Sequence, residues 1–364
     1  MSATLIVEPD PSGHRFQAVA NVARVARRTG EAILLTSTKG REDDAFDGFL
    51  ADVELDVVVV FDEVYPATRE MARQIAAVCR ERDVATVIVM DADQSLKKWW
   101  YVARPAFKGL ARKPRVIFML TRYPAKLGLR DTFGWKLRIS KGGLALLSRA
   151  NGTVHRFAGF AGRDDMSPGW IVKRARDPAI SLAHSRDRAE LRAKHGLDPD
   201  LPLIGIFGVV GERKNAPMIL DAMEHAGVEG RLVLAGKVTP EVQEWLDGLD
   251  EERRGRIVVR PGFLTDQVMD EMVAAVDVVP LALTNNGPSG IMGKALAAGV
   301  PVVTAGSEVR AREVRATGGG IAVALTVPDL GAGIRQVLDG DGMRPGSVPP
   351  ATADAFAETL LGLR

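Results

Sequence analysis

The segment TNNGPSGIMGKALAAGVPVVT, Thr284 to Thr304, decides the fold of this chain. A turn rich in Asn, Gly and Pro follows the apolar run DVVPLAL at 277–283. A Ser-Gly pair then opens a predicted helix that ends at Gly299, where glycine easily adopts a left-handed cap, before the apolar run PVVT. A strand, a Gly-rich turn and a helix N-terminus in this order present backbone N–H groups to an anion, usually phosphate. An ordinary βαβ crossover with a tight loop has the same pattern, so this segment alone leaves both interpretations open.

A second loop upstream carries the cations that an anion site needs. The apolar run 203–210 is followed by the basic pair Arg213 and Lys214, and Asn215 with Pro217 then opens an amphipathic helix. Cations at the carboxyl end of a parallel strand lie where open α/β sheets bind their ligands. Arg213 and Lys214 are therefore candidates for binding a diphosphate.

These two loops, with the intervening runs 231–236, 256–264 and 266–280, resemble the donor-nucleotide domain of retaining glycosyltransferases of family four, which have the GT-B fold. The resemblance is close over about residues 200–325. It implies that the diphosphate of a sugar nucleotide contacts Arg213, Lys214, Ser289, Gly290 and Ile291. It also implies that the nucleotide base and ribose contact Gly262, Phe263 and Lys294.

Lys294 departs from the family pattern. The corresponding loop usually carries two glutamates, and this chain has Asn286 and Lys294 at those positions. Lysine has three N–H donors and no acceptor, so it cannot accept hydrogen bonds from the hydroxyls of a donor sugar as glutamate does. It can contact phosphate or a carboxylated sugar, which indicates altered donor recognition. The alternative is a degenerate active site.

The N-terminal half predicts a second α/β domain. Short apolar runs alternate there with helical patterns, at 4–8, 32–36, 57–61, 86–90 and 115–120. The alternation restarts at 202, after a charged segment broken by prolines. We therefore expect two Rossmann-like, doubly wound domains facing a cleft. The predicted parts are an acceptor-binding domain at 1–180, a nucleotide-sugar-binding domain at 181–345, and a helix at 346–364 that packs back on the first domain.

The catalytic residues are not evident from the sequence, and two candidates come from the N-terminal half. Gly13 and His14 lie in the loop after the first strand, where His14 could contact acceptor or phosphate; a solvated first-turn histidine is the alternative. Family members often carry a histidine after the fifth strand, whereas this chain has Arg122, a possible hydrogen-bond donor. The Asp-x-Asp triplet at 91–93 precedes a basic aromatic helix and is interpreted as a helix-start signal. No metal or cofactor is expected besides the sugar nucleotide.

Composition favours a globular enzyme of two domains. The chain has 364 residues, 46% of them hydrophobic and 26% charged, and one cysteine, Cys79. A single cysteine excludes a disulfide framework and a thiolate zinc cluster. Neither a signal peptide nor an apolar stretch long enough to span a membrane is evident, so the cytoplasm is the expected location.

Charge is uneven along the chain. Sixteen Lys and Arg residues oppose one acidic residue, Asp131, between Gln94 and Arg163. Residues 94–130 interleave these cations with Trp, Tyr and Phe, a mixture that suits an anionic membrane surface or a lipid-phosphate acceptor. A solvated face over core aromatics is the alternative. Nucleic acid is not expected, because no recognised nucleic-acid module accompanies the cations.

The combined pattern predicts a retaining, family-four-like glycosyltransferase. It would transfer a sugar from a nucleotide diphosphate sugar to a glycan, a lipid-linked glycan or a small molecule, for example in polysaccharide biosynthesis. Its acceptor could be acidic or lipid-linked, and the enzyme could be peripheral on the inner face of the membrane. The alternative is a catalytically degenerate GT-B protein that binds a nucleotide sugar or glycan as a scaffold or regulator.

Overall fold

The computed structural model describes residues 2–12, 15–123, 132–285, 287–341 and 344–363. The chain divides into two compact units. The N-terminal unit comprises Met1–Asp177 and Ala351–Arg364, and the C-terminal unit is Pro178–Pro350.

The N-terminal unit is built on one parallel sheet of seven strands. The strands are β1 (Ala3–Val7), β2 (Glu31–Ser37), β3 (Asp56–Phe61), β4 (Val84–Val89), β5 (Arg115–Leu120), β6 (Arg156–Ala161) and β7 (Val172–Arg176). Their order in the sheet is β3-β2-β1-β4-β5-β6-β7. In this doubly wound order the topological switch point lies between β1 and β4, where ligands bind in open α/β sheets.

The helices of this unit pack against the sheet or against one another. They are α1 (Arg15–Ala26), α2 (Thr38–Glu42), α3 (Asp44–Leu50), α4 (Thr68–Glu81), α5 (Leu96–Ala106) and α6 (Thr132–Ala150). In α4 the buried positions Met71, Ile75 and Val78 recur at helical spacing, which gives the helix its apolar face. No helix among the described residues is long and apolar enough to cross a membrane.

Five strands of this sheet lie where the apolar runs predicted them, and two strands were not predicted. Strand β6, RFAGFA, contains Gly159, where a Cβ atom would lie 2.9 Å from the carbonyl oxygen of Leu120 on β5. Strand β7, VKRAR, is an edge strand with three basic residues. Small and charged residues weaken the apolar pattern that identifies a strand, although basic side chains are common on sheet edges.

The C-terminal unit repeats the same strand order. Its strands are β8 (Leu203–Phe207), β9 (Arg231–Gly236), β10 (Ile257–Pro261), β11 (Val279–Ala282), β12 (Val302–Ala305) and β13 (Gly320–Val323). They form the parallel sheets β10-β9-β8 and β11-β12-β13, joined by a bridge between Ile204 and Val278. The switch point of this unit therefore lies between β8 and β11.

Helices on both faces complete this Rossmann-like unit. They are α7 (Arg188–His195), α8 (Ala216–His225), α9 (Pro240–Asp247), α10 (Glu251–Gly255), α11 (Asp266–Ala275), α12 (Gly290–Ala298), α13 (Glu308–Thr317) and α14 (Val327–Leu338), with a short 3-10 helix at Glu212–Lys214. Helix α12 ends at Gly299, whose φ of 73° is the left-handed cap that the sequence predicted.

The last helix, α15 (Ala353–Leu361), belongs to the N-terminal unit. It packs against α1 and against strands β6 and β7. Phe356 is buried and stacks on Phe160 with ring centroids 5.3 Å apart. The Nε and Nη2 atoms of Arg156 donate to the carbonyl oxygen of Thr359 at 3.1 and 2.8 Å. Aromatic burial and these hydrogen bonds hold the helix on the sheet.

Candidate functional site

Two loops meet at the switch point of the C-terminal unit. One, residues 208–215, follows β8, and the other, residues 283–289, follows β11. The Asn215 side-chain amide donates to the carbonyl oxygen of Ala282 at 2.6 Å, and the Thr284 N–H donates to the carbonyl oxygen of Arg213 at 3.3 Å. The cationic loop and the Gly-rich loop are thus fixed to each other at the position where this fold binds ligands.

Asn215 sets the direction in which the cationic loop enters α8. Its φ of 50° is left-handed, and asparagine tolerates that region better than most residues with a side chain. The residue ends the 3-10 helix that carries Arg213 and Lys214, and Pro217 follows in the first turn of α8. The sequence predicted the helix start, but not the hydrogen bond that ties Asn215 to β11.

Lys214 is the half-buried cation of this site. Its ammonium donates to the carbonyl oxygen of Phe207 at the end of β8. Burial, together with the neighbouring Arg213 charge, lowers the pKa of Lys214 to about 8. No carboxylate of the described residues pairs with Lys214 or Arg213, and the Arg213 side chain is exposed. The site therefore has positive charge that an anionic ligand would stabilise.

The N-terminus of α12 adds backbone donors at the same switch point. Ser289 caps the helix by accepting from the Met292 N–H at 3.4 Å. The N–H groups of Gly290 and Ile291, in the first turn, have no acceptor within the helix. With the helix dipole they form an anion-binding end. The predicted diphosphate residues Arg213, Lys214, Ser289, Gly290 and Ile291 thus come from two loops that the structure brings together.

Arg310 positions the Gly-rich loop, and sequence reasoning missed it. This arginine of α13 is completely buried. Its Nη1 donates to the carbonyl oxygens of Asn285 and Gly287, both at 2.9 Å, and its Nη2 to that of Leu283 at 3.0 Å. One guanidinium thereby fixes the backbone between β11 and α12. The signal available in the sequence is an arginine, which has several N–H donors, and a loop whose carbonyl oxygens have no partner in a strand. That the arginine lies close to the loop is visible only in the fold.

Gly262 and Phe263 follow β10, at the carboxyl edge of the same sheet. Gly262 has a φ of 110°, a conformation that favours glycine. The Phe263 side chain is 93% exposed. An exposed aromatic ring beside a ligand-binding edge has free faces on which a nucleobase can stack. The predicted contact with the base stays a prediction.

Lys294 faces two carboxylates on α11. Its ammonium lies 3.1 Å from Asp266 Oδ1 and 2.5 Å from Asp270 Oδ1. Asp270 is fully buried and also accepts from the Leu182 N–H at 2.6 Å. Burial raises the pKa of Asp270, and the Lys294 charge opposes that shift. A donor contact through Lys294 would have to use its remaining N–H or break these bonds. That contact also stays a prediction.

The N-terminal candidates have a different environment. Gly13, His14 and, in the Gly-rich loop, Asn286 lie outside the described residues. The Arg122 side chain is exposed; its N–H donates to Asp93 Oδ2 at 3.0 Å and its carbonyl oxygen accepts from Lys141 at 2.9 Å. Both contacts fix the Arg122 backbone after β5 and leave the guanidinium at the surface.

The triplet 91–93 does not start a helix, and that interpretation was wrong. Helix α5 begins after Ser95, which makes no side-chain cap. Asp93 instead accepts from the N–H and hydroxyl of Thr121 at 2.7 and 2.8 Å and pairs with Lys141. Asp91 pairs with Arg15 at 2.7 Å. Within the described residues no group of three or more His, Cys, Asp or Glu could hold a metal ion.

Arg15 joins three carboxylates at the switch point of the N-terminal sheet. Besides Asp91, it lies 3.5 Å from Glu8 and 3.4 Å from Asp10. Burial raises the pKa of Glu8 to about 8, although Arg15 opposes the shift. The carboxyl edge of this sheet is therefore rich in acidic groups, most of them already paired.

The basic aromatic stretch 94–130 is partly core. Trp99 and Phe107 are buried, and the Trp99 indole N–H donates to the carbonyl oxygen of Thr153 at 3.1 Å. Trp100 is half-buried and Tyr101 is exposed. The cations that the sequence singled out are on the surface: Lys97, Lys98, Lys108 and Lys113. Binding of this stretch to an anionic membrane stays a prediction, now with fewer surface aromatics to support it.

Comparison with known proteins agrees with this geometry. Residues 201–340 match the family described as Glycosyl transferases group 1. No curated protein matches the chain by sequence. Among solved structures, HepE of Anabaena in complex with UDP has a TM-score of 0.60 at 15% identity, covering 100% of this chain and 95% of that chain. A glycosyltransferase of Rickettsia africae has a TM-score of 0.63 at 12% identity, covering 99% and 93%.

The chain has the GT-B fold. Both Rossmann-like units contribute to the match, because sucrose-phosphate synthase of Thermosynechococcus elongatus also covers 100% of this chain and 95% of its own, with a TM-score of 0.56 at 13% identity. Identities this low establish a shared fold and leave the substrates open. The residues that match the glycosyltransferase group 1 family, 201–340, lie in the C-terminal unit and include the loops at its switch point.

Proposed function

We propose that the protein transfers a sugar from a nucleotide diphosphate sugar to an acceptor. The observation that carries this proposal is the cationic switch point of the C-terminal unit, where the half-buried Lys214 and the α12 N-terminus lie in two hydrogen-bonded loops. The glycosyltransferase match of residues 201–340 supports it. So do the complexes of HepE with UDP and with UDP-glucose, which have the same fold.

In this reaction the chain's own groups act on the leaving diphosphate. The bond between the anomeric carbon and the diphosphate oxygen breaks, and the acceptor hydroxyl oxygen forms the new bond and loses its proton. Negative charge develops on the departing diphosphate. Arg213, Lys214 and the N–H groups of Gly290 and Ile291 would stabilise that charge. No further cofactor enters this scheme.

The acceptor and the stereochemistry rest on weaker support. The resemblance to family four supports retention of the anomeric configuration. The cations between 94 and 163 support an acidic or lipid-linked acceptor bound by the N-terminal unit, with Arg122 as a possible contact. Product anomers resolved by proton NMR at early times would decide the stereochemistry, since retention and inversion give different coupling constants.

Calorimetry with a nucleoside diphosphate tests the donor site. Arg213→Ala and Lys214→Ala should each weaken binding about 10–100-fold, because a charge-assisted hydrogen bond to phosphate contributes about 1.5–3 kcal/mol. Arg253→Ala is the matched control. It removes a cation of α10, before β10, where the bonds of Arg253 are to Asp221 and Glu224. Unchanged affinity in both site variants would show that the diphosphate binds elsewhere.

A turnover assay separates enzyme from scaffold. The parent protein is incubated with a panel of nucleotide sugars, and release of nucleoside diphosphate is followed with glycan and lipid-linked acceptors. Release that is abolished in Lys214→Ala supports the enzyme. Tight nucleotide binding with no release on any donor and acceptor pair supports the scaffold alternative.

A further inference from the structure

Helix α6 has several exposed apolar side chains. Phe133 is 75% exposed and Ile139 69% exposed, and Trp135, Leu146 and Leu147 are also exposed. Trp135, Ile139 and Leu146 recur at spacings of four and seven, which puts them in one stripe along the helix. The opposite face, with Gly134, Gly142, Ala145 and Ser148, is buried. An apolar stripe of this size on a protein surface marks an interaction site.

A second segment extends this surface. In the connection between β6 and β7, Trp170 is 85% exposed and Met166 55% exposed. Trp170 and Ile171 line a groove of about 390 Å³ together with Trp135, Ile139 and Leu146. Gly143 opens the groove, since a Cβ atom there would have no neighbour within 4 Å. The exposed side chains of helix and connection therefore form one continuous apolar surface.

The charges on helix α6 are of one sign. Helix α6 contains Lys136, Arg138, Lys141 and Arg149 and no acidic residue. Lys141 is paired with Asp93. Lys136 and Arg149 are exposed, and the Arg138 guanidinium lies 6.0 Å from the centroid of the Trp135 ring. Aromatic and aliphatic side chains flanked by cations are the composition of helices that lie in the boundary between lipid headgroups and acyl chains.

We propose that α6 and the Met166–Trp170 segment form an interface with an anionic lipid bilayer. Phe133, Ile139 and Trp170 enter the headgroup boundary, and Lys136, Arg138 and Arg149 contact lipid phosphates. The absence of acid on α6 favours an anionic partner, and the exposed apolar area favours one with an acyl interior. This surface differs from residues 94–130, where Trp99 and Phe107 are core. The proposal does not depend on the donor site of the C-terminal unit.

Sedimentation of the full chain with vesicles tests the interface. Vesicles of phosphatidylcholine with increasing phosphatidylglycerol should bind the parent increasingly, and salt should reduce the binding as it screens the cations. Ile139→Ser with Trp170→Ser should weaken binding at least tenfold, as should Lys136→Ser with Arg138→Ser and Arg149→Ser. The matched control, Tyr101→Ser with Lys97→Ser and Lys98→Ser, should bind as the parent does.

Nucleoside diphosphate affinity, measured on the same variants, checks that the C-terminal unit is intact. If the variants fold poorly, the parent protein gives an independent test. Brominated lipids should quench its tryptophan fluorescence, because Trp135 and Trp170 are expected at the headgroup boundary. Three outcomes would overturn the proposal. They are unchanged binding of both α6 variants, loss of binding in the Tyr101 variant alone, and a dimer in analytical ultracentrifugation that the α6 variants dissociate.

Discussion

The six strands of the C-terminal unit have the same order as the first six strands of the N-terminal unit. The side chains at the two switch points have opposite charges. In the N-terminal unit the carboxyl edge holds Glu8, Asp91 and Asp93, and the cation Arg15 is shared among carboxylates. In the C-terminal unit the corresponding edge holds Arg213 and Lys214, with no carboxylate of the described residues paired to them. Topology thus determines where a ligand could bind, and side chains determine which ligand is attracted.

The two edges also differ in the charge that a ligand would meet at neutral pH. Glu8 is buried and its pKa is raised to about 8, so at neutral pH it is largely protonated. Lys214 is half-buried and its pKa is lowered to about 8, so it carries its proton through neutral pH. Both shifts have burial as the largest cause. The difference is that Glu8 is paired with Arg15, whereas the partner of Lys214 among the described residues is a backbone carbonyl.

The largest expected effect concerns Lys294 of α12, which is paired with two carboxylates of α11. Lys294→Ala should destabilise the protein by about 3–5 kcal/mol, because it leaves the buried Asp270 carboxylate without its cation. Differential scanning calorimetry measures the loss. Asp270→Asn in the same chain should restore most of it, since the amide oxygen can still accept from the Leu182 N–H. Without such rescue, the ion pair is not what Lys294 contributes.

The same double variant decides whether Lys294 contacts the donor. If its affinity for a nucleotide sugar equals that of the parent, Lys294 is purely structural and the contrast between the two edges rests on Arg213 and Lys214. A lower affinity at restored stability would assign Lys294 to the site.

Removing Arg310 should have the next largest effect. Arg310→Ala leaves the carbonyl oxygens of Leu283, Asn285 and Gly287 without their donor, at a cost of about 2–3 kcal/mol after partial rehydration. Nucleoside diphosphate affinity should also fall about tenfold, because the loop before α12 loses its anchor. Arg315→Ala, on the exposed face of the same helix, is the control. Wild-type affinity in Arg310→Ala would mean that the loop holds its shape unaided.

The pKa of Lys214 predicts a pH dependence of binding. Protonated Lys214 attracts a diphosphate, so affinity should fall as pH rises through about 8. The expected loss is up to tenfold for each pH unit above 8, or about 1.4 kcal/mol. The ligand is already fully ionised in this range. Calorimetry from pH 7 to pH 9 measures the slope, and Lys214→Met should abolish it; a flat parent profile would contradict the assignment.

The raised pKa of Glu8 predicts a pH dependence of the free energy of unfolding. Because its folded pKa is raised from 4.5 to about 8, the folded state holds a proton that the unfolded state releases between these values. Stability is therefore retained at low pH and decreases as pH rises from about 4.5 to about 8. Glu8→Gln should reduce the slope of the free energy of unfolding against pH by on the order of 1 kcal/mol per pH unit within that window. Parallel melting-temperature profiles of parent and variant would show that Glu8 titrates normally.

Local pattern predicted most of the strands and the C-terminal cap of α12, whereas the ligand contacts of the site residues stay predictions. The run RLVLAG coincides with β9, and the cap at Gly299 was evident, because both depend on neighbouring residues. Strand β7 was missed because an edge strand with basic side chains has no apolar pattern. The partners of Lys294 and the role of Arg310 depend on contacts between separate elements, which no local spacing encodes.

The position of α15 has a consequence for how the chain is made. Residues 178–350 are an insertion between the two parts of the N-terminal unit. The second part contains α15, whose Phe356 is buried. During synthesis the N-terminal unit therefore lacks α15 until the whole C-terminal unit has emerged. The C-terminal unit can fold as an independent domain in that time. The half of the molecule that is translated first is thus expected to mature last, and a nascent chain stalled before Ala353 should yield a protease-resistant C-terminal unit beside a protease-sensitive N-terminal one.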